Sequence, residues 1–233
     1  MAERSILHEA SISLVKQLWE LLDEEQKVFV SENYQVHHFK KNQIIYKEGE
    51  QPDYLLCLVK GKVKIFKEGV GGRGQIVRMV KAPGIFGKRA LFADEEYTTS
   101  SICIEESVII TIHKDILMEV LHHNVELSLF FLNSLAKELG FSNNLTVSLT
   151  QKHIRGRLAE AILFLKETYG LESDGVTLNI YLSREDLANL SNMTTSNAIR
   201  TLSNFATEKV ISVDGRKLKL LNEEALKRIS NLG

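Results

Sequence analysis

The sequence predicts an α+β fold in three parts: an N-terminal antiparallel β-roll of the jelly-roll type, a long helix, and a small helical domain that ends in a hairpin. Three observations predict it. Residues 34–113 contain short β-branched runs separated by glycine turns, which is typical of an antiparallel roll or barrel. Residues 115–148 are apolar at helical spacing. Beyond Thr150 the pattern stays helical until "KVISVDGRKLKLL", two strand-like runs around Asp214-Gly215 that predict a type I′ hairpin.

Composition places the chain among ordinary globular proteins. Its 233 residues are long enough for one large or two ordinary domains, and 44% of them are hydrophobic, which suffices to fill real cores. The formal net charge is -1, so the whole chain is not a polybasic nucleic-acid binder, although a local basic patch stays open. We find neither a signal peptide nor an apolar run of membrane-spanning length, so we expect a soluble cytoplasmic protein.

Two kinds of pattern precede the long helix. Up to about residue 32, leucines such as Leu18 and Leu22 recur at helical spacing. After that, "YLLCLVKGKVKIFKEG" contains two strand-like runs broken at Gly61, and "GVGGRG" at 69–74 has the glycines of a flexible hairpin tip. We therefore expect an N-terminal helix followed by the strands of the roll.

The long helix, which Asn124 can cap, is apolar on more than one face. Leu132 and Leu139 lie on one stripe, and Leu127 and Phe131 broaden it. A helix that is apolar this far round buries two faces. One face would cover the roll while the other meets the same helix of a second copy. The alternative is a core helix of a monomer.

The segment 182–211 predicts a helix-turn-helix. Ser183 can cap the first helix, with Asp186 near the N-terminus, where an acidic group suits the helix dipole. Asn192 then occupies a turn position that needs a residue tolerant of left-handed geometry. "TTSNAIRTLSNFA" begins the second helix, and a tight turn between two helices is the defining feature of this motif. The inner face of the second helix is predicted to consist of Ala198, Ile199, Leu202 and Phe205.

The outer face of such a second helix would enter the major groove of DNA. Arg200 is the most specific candidate reader, because a guanidinium can bond bidentately to guanine O6 and N7. The hairpin that follows looks like a wing, with cations placed to meet phosphates. The alternative is a small helical bundle whose polar face is merely solvated. The candidate DNA-binding residues are Ser183, Arg184, Thr194, Thr195, Ser196, Asn197, Arg200, Arg216 and Lys217, with Lys209 and Lys219 as further basic candidates.

Three segments, in this order, resemble those of the Crp/Fnr family of bacterial transcription regulators. "GEQPDYLLCLVKGKVKIFKEG" is similar to the family's glycine-punctuated hairpin, "APGIFGKRALF" to its ligand cassette, and "HIRGRLAEAILFL" to the start of its DNA-binding domain. The resemblance implies an effector-sensing β-roll domain at 1–122, a dimerisation helix at 123–150 and a winged helix-turn-helix DNA-binding domain at 151–233. It also implies a homodimer on a two-fold symmetric operator with half-sites about 34 Å apart, and RNA polymerase as a partner.

The same resemblance implies where an effector would bind. Family members that bind cyclic AMP use a glutamate for the ribose, an arginine for the cyclic phosphate and a hydroxyl residue after it, and these positions are Lys88, Thr98 and Thr99 here. The ribose acceptor has become a donor, and the charged partner of the phosphate has become neutral. We therefore expect cyclic AMP and cyclic GMP to bind weakly or not at all. The candidate effector-binding residues are Gly87, Lys88, Arg89, Ala90, Thr98, Thr99, Ser142 and Asn143, the last two at positions that contact the base in the family.

Other effectors and functions have less support in the sequence. Lys88 and Arg89 either meet a different anion or point to solvent. Two cysteines cannot supply the four thiolates of an iron–sulfur cluster. A metal-dependent enzyme on the roll would need converging imidazoles, normally His-x-His on a strand, so we expect neither a metal site nor catalytic residues. The open alternatives are control by cyclic nucleotides and a haem-based sensor that uses a single ligand such as His113, His153, Cys57 or Cys103.

Overall fold

The computed structural model describes residues 16–69, 72 and 74–232, which divide into two units. The first unit comprises the residues up to 67 together with 77–139, and the second comprises 68–76 together with the residues from 140 onwards. The part of the expected N-terminal helix before residue 16, and positions 70, 71 and 73 of the expected hairpin tip, lie outside the described residues.

Two four-stranded sheets form the framework of the roll. Their orders are β1-β8-β3-β6 and β2-β7-β4-β5. Strand β8 runs antiparallel to both β1 and β3, and β7 runs antiparallel to both β2 and β4, which confirms the predicted antiparallel roll. The strands are β1 (Tyr34–Phe39), β2 (Ile44–Tyr46), β3 (Tyr54–Lys60), β4 (Lys62–Glu68), β5 (Gly74–Lys81), β6 (Gly84–Phe86), β7 (Ser100–Cys103) and β8 (Ser107–His113).

Helices cover the outer face of the first sheet. They are α1 (Lys16–Glu20), α2 (Glu24–Glu32), α3 (Lys88–Ala93), α4 (Lys114–His123) and the first half of α5 (Val125–Gln151). Their start points follow from local capping. Asp23 accepts a hydrogen bond from the backbone N–H of Gln26 at 2.8 Å, and Asn124 Oδ1 accepts one from the backbone N–H of Leu127 at 2.8 Å. The predicted cap of the long helix is thereby confirmed.

The alternation of side chains along β3 separates two cores. Leu55 and Cys57 pack in a core shared with the helices, including Phe131 of α5. Leu56 and Leu58 pack in the core between the two sheets. Successive residues of a strand point to opposite faces, so a strand buried on both faces reads as a continuous apolar run.

Helix α5 presents an inner and an outer apolar face. Leu127 and Phe131 are buried at 1% and 3% exposure, in the core under the helices. Leu132 and Leu139 are each 63% exposed. The prediction that one face of the long helix covers the roll is therefore confirmed, and the other face is open in the single chain.

The second unit contains the remaining helices and a hairpin. Its loop is Gly215-Arg216, since Asp214 pairs with Lys217 in the ladder. Among the described residues of this loop only Gly215 has a positive φ, of 54°, whereas a type I′ turn requires positive φ at both central positions. The predicted hairpin is confirmed, but its predicted type I′ turn is wrong. Positive φ at the first position alone is the property of a type II′ turn.

The elements of the second unit that follow α5 are α6 (Ile154–Tyr169), α7 (Arg184–Leu190), α8 (Thr195–Thr207), β9 (Ile211–Asp214), β10 (Lys217–Leu220) and α9 (Glu223–Leu232).

In the described part of the chain, we find no helix whose length and hydropathy would allow it to span a lipid bilayer.

Candidate functional site

Helix α7 begins with a reciprocal cap. The Ser183 hydroxyl accepts a hydrogen bond from the backbone N–H of Asp186 at 2.9 Å, and the Asp186 carboxylate accepts one from the Ser183 backbone at 3.3 Å. The Ser183 hydroxyl also donates to the same carboxylate at 2.7 Å. The structure thus shows Ser183 in a local role, as the cap that sets the start of the first helix of the motif.

The turn between α7 and α8 has the geometry that the sequence predicts. Asn192 adopts a left-handed conformation with φ of 49°. Its carbonyl oxygen accepts a hydrogen bond from Arg157 of α6 at 3.1 Å, and Arg157 also donates to the Leu149 carbonyl of α5 at 2.9 Å. Sequence reasoning missed this role of Arg157, because a contact across 35 residues leaves no local pattern.

Helix α8 is capped by Thr194, whose hydroxyl accepts from the backbone N–H of Asn197 at 3.2 Å. Thr195, Ser196 and Arg200 are exposed, as predicted for the outer face. The Arg200 guanidinium donates to Asn197 Oδ1 at 2.9 Å, so the half-buried amide orients the arginine. The inner face consists of Ala198, Thr201, Leu202 and Phe205.

The predicted place of Ile199 on the inner face is wrong. Its side chain is 48% exposed, whereas the neighbouring Ala198 is fully buried. Consecutive residues of a helix are rotated by about 100°, so with Ala198 and Leu202 turned into the core, Ile199 lies on the flank of the outer face.

The hairpin carries exposed cations beside the helix-turn-helix. Arg216 and Lys217 are both exposed, and the Lys217 ammonium lies 5.5 Å from the centroid of the Tyr181 ring. Arg184 donates to the carbonyl oxygen of Gly215 at 2.6 Å, which ties the start of α7 to the hairpin loop. Lys209 is exposed at the end of α8, and Lys219 lies 3.9 Å from Asp174.

In the first unit, the cassette encloses a buried lysine. Lys88, the first residue of α3, has a side chain that is only 3% exposed and forms an ion pair with Glu138 of α5. The same carboxylate oxygen pairs with Arg78 of β5 at 2.5 Å. Burial lowers the pKa of Lys88, and the pairing with Glu138 opposes that shift. Of the two roles left open for Lys88, pointing to solvent is therefore wrong.

Sequence reasoning missed Glu138 and Arg78. Each is separated from Lys88 by strands or helices, so the sequence carries no spacing signal that would bring the three charges together.

The other cassette residues differ in exposure. Arg89 is exposed and pairs with Glu95 at 2.7 Å, so its side chain does lie at the surface. Ala90 is buried at 3%. Thr98 is exposed and Thr99 is half-buried. Burial raises the pKa of Tyr46 to about 12, and a hydrogen bond with Thr99 opposes that rise.

The two candidate base contacts lie further along α5. Ser142 and Asn143 are both exposed and belong to the second unit, whereas the cassette belongs to the first. The Thr146 hydroxyl donates a hydrogen bond to the backbone carbonyl of Ser142 at 2.9 Å. This bond lies within the helix and does not involve the exposed side chains of Ser142 and Asn143.

The candidate haem ligands occupy dissimilar places. Cys57 is buried in the core under the helices and Cys103 in the core between the sheets. Burial raises the pKa of the Cys57 thiol to about 12, and it also raises that of Cys103. His113 and His153 stand at the starts of α4 and α6. Among the described residues, no three His, Cys, Asp or Glu side chains converge as a metal site would require.

Two family models match the chain. Residues 36–124 match the cyclic nucleotide-binding domain, and residues 156–229 match the Crp-like helix-turn-helix domain. Together the two matches span well over half of the chain, and they contain the cassette and the helix-turn-helix described above.

Related proteins match this chain over most of their own length. The CRP-like cAMP-activated global transcriptional regulator of Mycobacterium tuberculosis is 26% identical over 191 residues, which cover 82% of this chain and 85% of the relative. The anaerobic regulatory protein of Bacillus subtilis is 27% identical over 177 residues, 75% of this chain and 74% of the relative. A solved structure of a Crp/Fnr-family transcriptional regulator from Eubacterium rectale matches with a TM-score of 0.75 at 17% identity, over 92% of this chain and 97% of that one.

Proposed function

Because the chain belongs to the Crp/Fnr family of transcription regulators, we propose that it binds a two-fold symmetric DNA operator as a homodimer. It is a DNA-binding transcription regulator with a cyclic nucleotide-binding domain, and it is not an enzyme. The proposal adds the dimer, the symmetry of the operator with half-sites about 34 Å apart, and an effector pocket that has diverged from cyclic AMP binding.

The observation that carries the DNA proposal is the exposed start of α8. Thr195, Ser196 and Arg200 project from a helix whose opposite side is fully buried, and the arginine is held by Asn197 at 2.9 Å. An ordered guanidinium on an exposed helix start is suited to a bidentate contact with guanine in the major groove. Exposed Arg216 on the hairpin adds charge suited to a phosphate contact. Ser183, Thr194, Arg184 and Lys217 complete the proposed surface.

The dimer proposal is supported by the open face of α5. Val125, Leu129, Leu132 and Leu139 are 72%, 56%, 63% and 63% exposed. They follow one another at intervals of four, three and seven residues, which is the spacing of a coiled-coil seam. A row of one valine and three leucines this exposed is costly in water, and its spacing fits the same row on a second copy of the helix.

The effector proposal rests on the charges of the cassette. Lys88 stands where cyclic-AMP-binding members place an acceptor for the ribose, and it is already paired with Glu138. Thr98 offers a neutral hydroxyl in place of a guanidinium. A nucleotide phosphate would therefore enter without a bidentate charged partner, and we propose weak or absent binding of cyclic AMP and cyclic GMP.

A cyclic-nucleotide-responsive regulator is the second candidate. The match to the cyclic nucleotide-binding domain favours it, and the Mycobacterium tuberculosis relative is described as cAMP-activated. A haem-based sensor is the weaker alternative. We further propose that the protein works in the cytoplasm and contacts RNA polymerase, as the family resemblance implies; its effector is unidentified.

The DNA proposal is tested with duplexes that the wild-type protein selects from random DNA. Arg200→Ala should weaken operator binding by about 5- to 150-fold per half-site, since each bidentate arginine–guanine pair contributes about 1–3 kcal/mol. Thr195→Ala should also weaken it. Lys227→Ala is the matched control, because it removes an exposed cation of α9 that lies outside the proposed surface. Unchanged affinity of Arg200→Ala would show that the recognition helix is misassigned.

The dimer and effector proposals share one measurement, native mass spectrometry with and without excess cyclic AMP. We expect the mass of a bare dimer in both samples. A monomer would overturn the proposed assembly, and a dimer that carries two nucleotides would favour the second candidate.

A further inference from the structure

The exposed face of α8 contains one large apolar side chain. Ile199 is 48% exposed and lies on the same side of the helix as Thr195 and Ser196, with Arg200 directly after it. The core side of this helix is already filled, because Ala198, Leu202 and Phe205 are 0%, 2% and 0% exposed. Ile199 therefore has no place in the core of the second unit, even though its residue type would favour one.

An isolated apolar residue at a protein surface usually needs no explanation. Ile199 differs in its neighbours, since it is bordered by the side chains that the proposed function places against base edges. The base edges of the major groove are polar except at thymine, whose C5-methyl group offers an apolar contact. A branched aliphatic side chain in this position is suited to that methyl group and cannot form hydrogen bonds to any base.

We propose that Ile199 is a specificity-determining residue that packs on the C5-methyl group of a thymine in each operator half-site. This inference rests on the proposed DNA binding. Ile199 and Arg200 are consecutive, so their positions differ by a rise of about 1.5 Å along the helix axis. Neighbouring base pairs are about 3.4 Å apart along the DNA axis. The thymine therefore lies within about two base pairs of the guanine that Arg200 reads.

The test replaces single thymines of the selected operator by uracil, which removes only the methyl group. At one symmetric pair of positions near the guanine, replacing thymine by uracil should lower the affinity of the wild-type protein about fourfold per half-site. This factor corresponds to the free energy of transferring one methyl-sized group out of water. Replacing both symmetric thymines should cost about fifteenfold if the two half-sites are independent. Ile199→Ala should bind the thymine and uracil operators with nearly equal affinity.

Leu221→Ala is the matched control, since Leu221 is 53% exposed in the same unit but lies after the hairpin. This variant should keep the full uracil penalty. A wild type without any uracil-sensitive position, or an Ile199→Ala variant that keeps the penalty, overturns the inference. If the wild type selects no duplex at all, the proposed DNA binding itself is wrong. The two failures are therefore distinguishable.

Discussion

Replacing Glu138 by glutamine would leave the buried Lys88 without its anionic partner. The Lys88 side chain is 3% exposed and that of Glu138 is 23% exposed, so the pair is largely shielded from water. Removing one partner of a buried ion pair typically costs about 3–5 kcal/mol. Lys88 can limit this loss by releasing its proton, but deprotonating a lysine with an ordinary pKa of about 10.4 costs about 4.6 kcal/mol at pH 7. We expect the variant to lose about 3–5 kcal/mol of its free energy of unfolding.

The pH dependence of this loss follows from the direction of the lysine pKa. Burial already lowers the pKa of Lys88 in the wild type, and without Glu138 the pKa would fall further. Between the folded and the unfolded pKa, the unfolded chain binds more protons than the folded one, so stability rises with pH in that window. The deficit of Glu138→Gln should therefore be smaller at pH 9.5 than at pH 7.

The assay is urea unfolding followed by the fluorescence of Trp19, the only tryptophan of the sequence, which packs against the core under the helices. Protein concentration is held constant, because dimer formation would change apparent stability.

Glu126→Gln, at an exposed position in the first turn of the same helix, is the control and should lose less than about 1 kcal/mol of its free energy of unfolding. The double variant Lys88→Met/Glu138→Gln should regain most of the loss, because it removes the unpaired buried ammonium while the glutamine amide oxygen can still accept a hydrogen bond from Arg78. A loss below about 1 kcal/mol for Glu138→Gln, or a deficit that does not shrink at pH 9.5, would refute the reasoning.

Two further predictions concern local structure. Gly87 has φ of +74°, and a Cβ there would lie 3.3 Å from the Tyr97 hydroxyl. The control Gly49 has a similar φ of +85°, but a Cβ there would meet open space. In the same urea assay, Gly87→Ala should therefore destabilise the first unit by more than Gly49→Ala does. Equal losses would show that packing at Gly87 is unimportant. Asp174 accepts three hydrogen bonds from Val176 and Thr177, which lower its pKa to about 2. Its contribution to stability is therefore present above about pH 4 and disappears as the pH falls through about 2. The melting-temperature difference between wild type and Asp174→Asn should accordingly shrink between pH 5 and pH 2, and a constant difference contradicts the assignment.

Local patterns in the sequence were sufficient to predict the main elements. The glycine-broken apolar runs predicted β3 and β4, and the Ser183 and Asn124 caps lie where helices begin. These signals depend on the conformation of a few neighbouring residues, so they can be recognised in the sequence without knowledge of distant contacts. The turn of the hairpin shows the limit of such rules, because two strands joined at Gly215 can be closed by more than one turn type. The roles of the DNA-binding and effector residues stay predictions.

By itself, the sequence determined the fold class, the order of the parts and the family resemblance, since each rests on periodicity or on short motifs. Only the tertiary structure decided which charges meet and which apolar residues stay in water. Lys88 is buried because α5 brings Glu138 to it from 50 positions away, and this contact depends on how α5 packs on the roll. Ile199 is exposed because the rotation of α8 on its core places Ala198 and Leu202 inside instead. Both outcomes depend on the packing of separate elements, which a helical or strand period does not encode.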